Sequence, residues 1–291
     1  MSTNTSQLHA FVATATKAAR LAAREILRAA ENRDMLEITD KAVNDFVTSA
    51  DKAAEEIIIR ELSTAYPRHA ILSEEAGRTG DNSSDYLWII DPIDGTTNFI
   101  HGLPQYCVSI GLTFRGEPIV GVIYDVAKNE LFTAARGQGA KLDGRRIRVT
   151  ENDEMRRALI GTGFPFRRGC DIESYLKGFA RVAERSAGIR RPGSAALDLA
   201  WVACGRYDGF WEFNLKPWDI CAGGLIVLEA GGLITDLKGG EKWLETGCIC
   251  AGAPKIFAQL LPLVGEVAHH EDADDAKKAE PRRKLSTKKN A

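Results

Sequence analysis

Residues 88–99, with the sequence WIIDPIDGTTNF, restrict the fold of this chain more than any other stretch. The apolar residues before Asp91 have the pattern of a buried strand, and Pro92 has no N–H for a sheet ladder, so we predict that the strand stops there. Residues three apart on a straight strand face opposite sides, whereas a broken strand lets Asp91 and Asp94 point towards one place. Two carboxylates buried together repel unless a cation lies between them. The stretch therefore predicts a divalent-metal site at a strand end.

Gly95 and Thr96 follow these acids and have the chemistry of a turn and a helix start. The first backbone N–H groups of a helix lack partners within it and attract anions. Magnesium sites in proteins are commonly completed by a substrate phosphate. A helix start beside a metal-binding pair of acids therefore favours a phosphate ligand.

Other catalytic patterns are absent from the sequence. The chain has five histidines, none in an H-E-x-x-H motif, and it lacks G-x-S-x-G and P-loop patterns. The remaining candidates are carboxylates, namely Glu74, Asp91, Asp94 and Asp219. Oxygen ligands favour Mg²⁺, Mn²⁺ or Ca²⁺ over Zn²⁺. Taken singly, Glu74 is more simply a solvated loop acid, and Asp51 and Asp219 are more simply helix caps.

Composition places the chain among globular proteins, since 44% of its 291 residues are hydrophobic and 27% are charged. No apolar stretch approaches the ~18–20 residues that span a bilayer, and no signal-peptide hydrophobic region follows the polar N-terminus. A net charge of −2 offers no electrostatic reason for nucleic-acid binding by the whole domain. Six cysteines without a C-x-x-C pair indicate free thiols in a reducing compartment. We therefore expect a cytoplasmic protein with no membrane contact.

The pattern of the chain changes near residue 150. Before it, amphipathic helices and a short apolar strand precede a β-rich segment, residues 106–149, that predicts an antiparallel meander. After it, strands and helices alternate as in an α/β fold. We predict an α+β subdomain over residues 1–150 that carries most metal ligands, and an α/β subdomain over residues 151–267 that completes the site. Residues 268–291 have almost no apolar side chains and predict a disordered charged tail.

Two long motifs carry a family resemblance. Residues 88–101 and residues 218–232 resemble the two signatures of the inositol monophosphatase family, and the run from residue 190 to 218 is most similar to its bacterial branch. Shorter segments agree, namely Asp51 together with Val47 and Thr48, residues 73–75 and residues 191–198. The resemblance covers residues 8–265. It implies a layered αβαβα sandwich that usually forms a homodimer.

The resemblance also implies ligands for two or three Mg²⁺ ions. Glu74, Asp91 and the Ile93 carbonyl would hold one ion. Asp91, Asp94 and Asp219 would hold a second. Glu74 and Asp91 thereby count among the catalytic residues, while Asp94 and Asp219 would also lie where the substrate binds. Inhibition by lithium is a further property that the resemblance implies.

Catalytic and substrate-binding roles follow from the same resemblance. Thr96, paired with Asp51, would orient the attacking water and help to deprotonate it. The N–H groups of Gly95 and Thr96 would bind the phosphate. Glu212 and Ala195 would contact the hydroxyl groups of inositol. The implied reaction is hydrolysis of myo-inositol 1-phosphate by a metal-activated water.

Two alternatives remain open at this point. The same mechanism could serve another small ester that relatives use, such as histidinol phosphate, fructose 1,6-bisphosphate or adenosine bisphosphate. Residues 94–98 and Glu212 favour inositol phosphate over these substrates. The chain could also have a regulatory role, in which it contacts RNA or the transcription machinery through its basic tail or its dimer surface.

Overall fold

The structure is a computed structural model that describes residues 4–42, 45–165 and 172–265. The predicted charged tail, residues 268–291, lies outside these residues. Among the described residues the helices are, in chain order, α1 (Thr5–Glu31), α2 (Ser49–Ala65), α3 (Thr96–Ile100), α4 (Ile172–Ala183), α5 (Ala195–Ala203), α6 (Pro217–Glu229), α7 (Trp243–Thr246) and α8 (residues 254–265). The strands are β1 (Ile38–Ala42), β2 (Asp45–Thr48), β3 (Ala70–Ser73), β4 (Gly77–Gly80), β5 (Tyr86–Asp94), β6 (Cys107–Phe114), β7 (Glu117–Asp125), β8 (Glu130–Ala135), β9 (Gly139–Leu142), β10 (Arg145–Arg146), β11 (Leu159–Thr162), β12 (Gly188–Arg190), β13 (Gly209–Glu212), β14 (Leu233–Asp236) and β15 (Ile249–Gly252).

Two sheets form the frame of the fold. The larger sheet has the strand order β10-β9-β8-β7-β6-β5-β3-β4, the smaller has the order β12-β11-β13-β15-β14, and β1 and β2 form a separate pair. Neighbouring strands of the larger sheet are antiparallel except for β3 and β5. The predicted meander over residues 106–149 is therefore confirmed. Its predicted turn at Asp143 and Gly144 has positive φ at both residues, 49° and 78°, as a two-residue hairpin requires.

Three apolar cores hold five layers of helices and sheets together. The first core lies between helices α1 and α2 and one face of the larger sheet. The second core packs α5 and α6 between the other face of that sheet and the smaller sheet, and the third joins the outer face of the smaller sheet to α4 and α8. Side chains alternate along β13, where Phe210 lies in the second core and Trp211 in the third. This order confirms the predicted αβαβα sandwich.

The N-terminal helix α1 is amphipathic, as its alanine-rich pattern predicts. Ala15, Ala18 and Ala22 are buried against the first core, while Lys17 and Arg20 are exposed. Small buried residues let this helix pack closely on α2 and on the larger sheet.

In the part of the chain that the structure describes, no helix is both long and apolar enough to cross a membrane.

The second core contains side chains from both predicted subdomains. Ile123 and Phe132 precede residue 150, whereas Phe210 and Ile249 follow it. The two parts therefore share apolar packing. A division of the chain at residue 150 stays a prediction.

The predicted end of strand β5 at Pro92 is wrong. The strand continues to Asp94, and its pairing with β6 shifts between Asp91, which lies opposite Ser109, and Asp94, which lies opposite Cys107. Three steps along β5 thus match two steps along β6, which is a β-bulge. Pro92 lies within the bulge, where no ladder N–H is required. Because Ser109 and Cys107 share one face of β6, the bulge puts Asp91 and Asp94 on one face as well.

Helix α6 packs closely on the larger sheet at a glycine. A Cβ atom on Gly111 of β6 would lie 2.5 Å from the Cys221 Sγ, so only glycine allows this approach. The Ser109 hydroxyl donates to the Trp218 carbonyl at 3.1 Å and fixes the first turn of α6 beside β6. Asp219, in that turn, is thereby brought next to the bulge of β5.

Candidate active site

A cleft of about 420 Å³ opens where β5 and β13 end and where α3, α5 and α6 begin. It is lined by Phe46, Glu74, Asp91, Ile93, Asp94, Gly95, Thr96, Thr97, Asn98, Gly163, Phe164, Pro165, Arg191, Gly193, Ser194, Ala195, Glu212, Phe213, Asn214, Leu215 and Asp219. The cleft brings together every site residue that the sequence predicts except Asp51, which is buried beside Thr96.

Three aspartates meet in this cleft. One carboxylate oxygen of each of Asp91, Asp94 and Asp219 lies within 4.8 Å of the others. Burial, together with the carboxylates of Glu74, Asp94 and Asp219, raises the pKa of Asp91 well above its ordinary value. Burial also raises the pKa of Asp94 to about 6, although hydrogen bonds from Ser194 and Ala196 oppose the rise. A bound cation would stabilise the charged form of each carboxylate.

Hydrogen bonds hold each aspartate in place. The Ile93 N–H donates to Asp91 Oδ1 at 3.0 Å, across the bulge. The Lys216 N–H donates to Asp219 Oδ2 at 2.6 Å, which makes Asp219 part of the capping interactions of α6. The interpretation of Asp219, considered by itself, as a helix-capping residue is thus correct. The same side chain also belongs to the acid cluster.

Asp94 links the larger sheet to the start of α5. Its Oδ2 accepts hydrogen bonds from the Ser194 hydroxyl at 2.6 Å and from the Ala196 N–H at 2.7 Å. These donors lie at the N-terminal end of α5, where a carboxylate is favourable. Asp94, which the sequence alone pairs with Asp91, therefore also joins the side of the cleft formed by β5 to the side formed by the start of α5.

Asp51 reaches the cleft through Thr96. The Thr96 hydroxyl donates to Asp51 Oδ1 at 3.0 Å, and the Ile93 carbonyl also lies 3.0 Å from this hydroxyl. Asp51 Oδ2 accepts from the Thr48 N–H at 2.8 Å, which completes a capping box at the start of α2. Burial raises the pKa of Asp51, while the bonds from Thr48 and Thr96 oppose the rise.

Glu74 follows strand β3 and lines the cleft near the acid cluster. Its backbone N–H donates to the Ile90 carbonyl at 3.2 Å, so the turn stays paired with β5. Glu55 of α2 supports this turn, because its Oε1 accepts from the Ser73 hydroxyl and from the Glu75 N–H. Glu74 is half-buried and therefore differs from the fully solvated loop acid that its sequence context alone suggests.

Gly95 and Asn98 shape the backbone after the bulge. Gly95 has a φ of 102°, and a Cβ there would lie 2.8 Å from the Gln105 carbonyl, so the position requires glycine. The Asn98 Nδ2 donates at 2.8 Å to the carbonyls of Gln105 and Pro192. Asn98 thereby ties the loop after α3 to the segment before α5. The sequence patterns indicated no role for Ser194, and they gave Asn98 only as part of residues 94–98, which favour inositol phosphate as the substrate.

Glu212 and Ala195 lie in the cleft on the side of the smaller sheet. Glu212 ends β13 and is half-buried, and Ala195 is the first residue of α5. Gly163 makes room for the acid, since a Cβ at that position would lie 1.9 Å from Glu212 Oε1. Arg191 lies over the ring of Phe164, 5.6 Å from its centroid, in the same part of the cleft.

The donor set of the cluster fits a hard divalent cation. Asp91, Asp94 and Asp219 present oxygen atoms only, and Glu74 and the Ile93 carbonyl add further oxygens to the same cleft. Oxygen ligands at short mutual distance suit Mg²⁺, Mn²⁺ or Ca²⁺. The raised pKa of Asp91, whose main causes are burial and neighbouring carboxylates, is the electrostatic condition that such a cation relieves.

Comparison with known proteins gives consistent results. Residues 7–269 match the model of the inositol monophosphatase family. The Nus factor SuhB of Pseudomonas aeruginosa is 48% identical over 254 residues, which cover 86% of this chain and 94% of that protein. The crystal structure of the extragenic suppressor protein suhB from Bartonella henselae has a TM-score of 0.85 and 42% identity, and the match covers 88% of this chain and 98% of that one. The inositol monophosphatase from Anabaena has a TM-score of 0.78 and 38% identity, with 89% and 96% coverage.

Proposed function

This chain belongs to the inositol monophosphatase family, and from that premise we propose that it is a Mg²⁺-dependent phosphatase that hydrolyses myo-inositol 1-phosphate to myo-inositol and phosphate. The observation that carries the proposal is the convergence of Asp91, Asp94 and Asp219 in a cleft that Glu74 also lines. Stability does not require four acids at one place, and their mutual repulsion favours a site for cations.

Asp91, Asp94, Asp219, Glu74 and the Ile93 carbonyl would hold the ions. Bound Mg²⁺ would lower the pKa of the attacking water and neutralise charge on the leaving oxygen. Two or three ions per site are part of the proposal. The bulge and the hydrogen bonds to the carboxylates pre-organise these ligands, so that little rearrangement is needed on binding.

Thr96 and Asp51 would move the proton of the attacking water. The Thr96 hydroxyl donates a hydrogen bond to Asp51 Oδ1. The lone pairs of Thr96 Oγ1 would then accept the proton of the attacking water, while the hydroxyl proton passes to Asp51. Asp51 has a pKa raised by burial, which makes it a better proton acceptor than an exposed aspartate. The N–H groups of Gly95 and Thr96 would bind the phosphate oxygens.

Glu212 would accept hydrogen bonds from inositol hydroxyls, and the α5 start at Ala195 would contact the ring. A carboxylate is an acceptor only, whereas each ring hydroxyl carries a donor. Histidinol phosphate, fructose 1,6-bisphosphate and adenosine bisphosphate are alternative substrates for the same machinery. We also propose a cytoplasmic homodimer inhibited by lithium, on the strength of family membership.

A phosphate-release screen tests the proposal. The esters named above are compared with and without Mg²⁺, for the natural chain and for Asp91→Asn. We expect Mg²⁺-dependent release that is fastest with myo-inositol 1-phosphate and that Asp91→Asn abolishes while the fold persists. Asp85→Asn is the matched control, because Asp85 lies just before β5 but is half-exposed and pairs with Arg115. An Asp91→Asn variant with near-normal turnover would refute the metal assignment.

A regulatory role is a second candidate function. Relatives with nearly half of their residues identical are named Nus factor, which supports contact with the transcription machinery alongside catalysis. The basic residues of segment 277–289 are candidates for such a contact. Removal of residues 268–291 tests this role: we expect unchanged turnover together with lost binding of RNA or of a transcription partner. A full-length chain that binds neither would contradict it.

A further inference from the structure

Asn214 has an unusual backbone for its place in the fold. Among the described residues, Arg115, Asn129, Asp143 and Asn214 are the non-glycine residues with positive φ. The first three lie in connections between neighbouring antiparallel strands, where positive φ is common. Asn214, with a φ of 61°, instead follows β13 and lies in the wall of the cleft.

The loop around Asn214 is held by its backbone. The Leu215 N–H donates to the Gly247 carbonyl at 2.9 Å, and a Cβ on Gly247 would lie 2.0 Å from the Leu215 carbonyl oxygen. The Cys248 Sγ lies 3.5 Å from the Asn214 backbone nitrogen and 4.0 Å from the Asn214 Oδ1, which accepts a weak hydrogen bond from the thiol. Close packing on residues 247–248 therefore sets the path of this loop. A glycine would adopt the same φ without strain, so the backbone alone does not require an asparagine side chain.

The position of Asn214 gives its amide a chemical use. It lies two residues after Glu212, is exposed, and lines the cleft that Glu212 also lines. A carboxylate only accepts hydrogen bonds, whereas an amide both donates and accepts. Each hydroxyl of a polyol also does both, so an acid and an amide that line one cleft offer acceptors and a donor for such groups.

We propose that Asn214 is a specificity-determining residue that binds the hydroxyl-bearing part of the substrate beside Glu212. The inference rests on the proposed phosphatase function and extends it to the choice of substrate. Asn214 selects polyol phosphates over phosphate esters without hydroxyl groups. It has no role in the reaction at phosphorus.

The test compares Asn214→Gly with the natural chain. Glycine keeps the backbone at positive φ, so thermal unfolding should show a retained fold. The measured quantity is the ratio of kcat/KM for myo-inositol 1-phosphate to kcat/KM for p-nitrophenyl phosphate. Loss of one or two hydrogen bonds should lower this ratio about three- to tenfold, through the KM of the polyol ester. Asn129→Gly is the matched control, since it removes the same side chain at a φ of 55° in a hairpin connection; it should leave the ratio unchanged.

Two further measurements keep the outcomes distinct. Asn214→Asp retains acceptors but loses the amide donor, and it should lower the ratio as Asn214→Gly does. A calorimetric Kd for myo-inositol 1-phosphate with Mg²⁺ measures recognition without turnover. If the natural chain binds the ester without hydrolysing it, and Asn214→Gly weakens that binding, the phosphatase proposal alone is refuted. An unchanged ratio or an unchanged Kd in Asn214→Gly would overturn the assignment of Asn214, and a chain that does not bind the ester would overturn both.

Discussion

The two walls of the cleft differ in how they present polar groups. The wall built on β5 and α3 carries Asp91 and Asp94, with Asp51 behind them, and these carboxylates are 2%, 8% and 0% exposed. The wall between β13 and α6 carries Glu212, which is half-buried, and Asn214, which is exposed. Buried charge is unfavourable without a counter-ion, whereas partly solvated groups exchange hydrogen bonds with water at little cost.

This difference separates two tasks. The buried wall suits carboxylates that hold cations and accept a proton, and the solvated wall suits reversible contact with a ligand. Substitutions in the first wall should therefore lower kcat, and substitutions in the second should raise KM. Asp219 belongs to the segment of the second wall but joins the acids of the first, so it marks where the two tasks meet.

Thr96→Val gives the strongest test of this separation. Valine has a similar shape but cannot donate to Asp51 or accept a proton, so kcat should fall about 10²- to 10⁴-fold with little change in KM. Steady-state kinetics with myo-inositol 1-phosphate measures both constants. A variant in which KM rises and kcat persists would break the assignment of the buried wall to chemistry.

The pH dependence of Mg²⁺ stabilisation comes next in size. The pKa of Asp94 is raised from 3.8 to about 6 by burial, so between these values the folded chain binds more protons than the unfolded chain. Without metal, the contribution of Asp94 to the free energy of unfolding therefore falls as pH rises through this window, by at most about 3 kcal/mol. Mg²⁺ favours the charged form, so its stabilising effect should grow over the same window.

Thermal unfolding in EDTA and in Mg²⁺, at pH 4.5 and at pH 7, measures that effect. Asp94→Asn should remove part of the pH dependence, whereas Asp85→Asn, at a half-exposed acid before β5, should not. Equal stabilisation by Mg²⁺ at the two pH values would contradict the buried-acid description of this wall.

Gly163→Ala tests the solvated wall. Its new Cβ would displace the Glu212 carboxylate, which lies 1.9 Å from that position, so the KM for myo-inositol 1-phosphate should rise about tenfold. Gly188→Ala is the matched control, because its Cβ would lie 3.2 Å from the flexible end of Arg190 and at an ordinary contact distance of 3.8 Å from the Leu159 Cδ1. A drop in kcat without a change in KM would show that Glu212 serves the chemistry instead.

Ser194→Ala should have the smallest effect. It removes the hydroxyl that joins the two walls at Asp94 Oδ2, while the Ala196 N–H still donates to the same oxygen. One remaining strong donor should limit the loss to about fivefold in the Mg²⁺ concentration needed for half-maximal activity. A titration of activity with Mg²⁺ measures it, and a loss in KM for the ester alone would mean that Ser194 serves the ligand rather than Asp94.

Local patterns predicted much of the fold. The short strand β3, the meander over residues 106–149 and the turn at Asp143 follow from runs of apolar residues and from turn chemistry, which act over a few residues. The end of β5 at Pro92 was predicted wrongly because a bulge is a relation between two strands. Its presence depends on the register with β6, which no local pattern of β5 contains.

The site divides in the same way. Asp91 and Asp94 are close in sequence, so their chemistry could be inferred from one stretch. Glu74 and Asp219, taken alone, resemble a loop acid and a helix cap. Elimination of other catalytic patterns made them candidates, and the family resemblance assigned them to the same metal site as the pair. Asn214 belongs to no short catalytic motif. Its positive φ and its position in the wall of the cleft are what make it a candidate binding residue.

The sequence by itself determined the kind of chemistry, because residue types and short spacings decide which groups can bind a hard cation or a phosphate. Tertiary structure alone decided their convergence. The hydrogen bond from Ser194 to Asp94 joins residues 100 positions apart, and that from Asn98 to Pro192 joins residues 94 apart. Such contacts arise from the packing of layers and from strand register, which are properties of the whole chain. The bulge in β5 depends on both levels. Its acids and proline can be recognised in the sequence, whereas its geometry is defined by the register of β5 with β6.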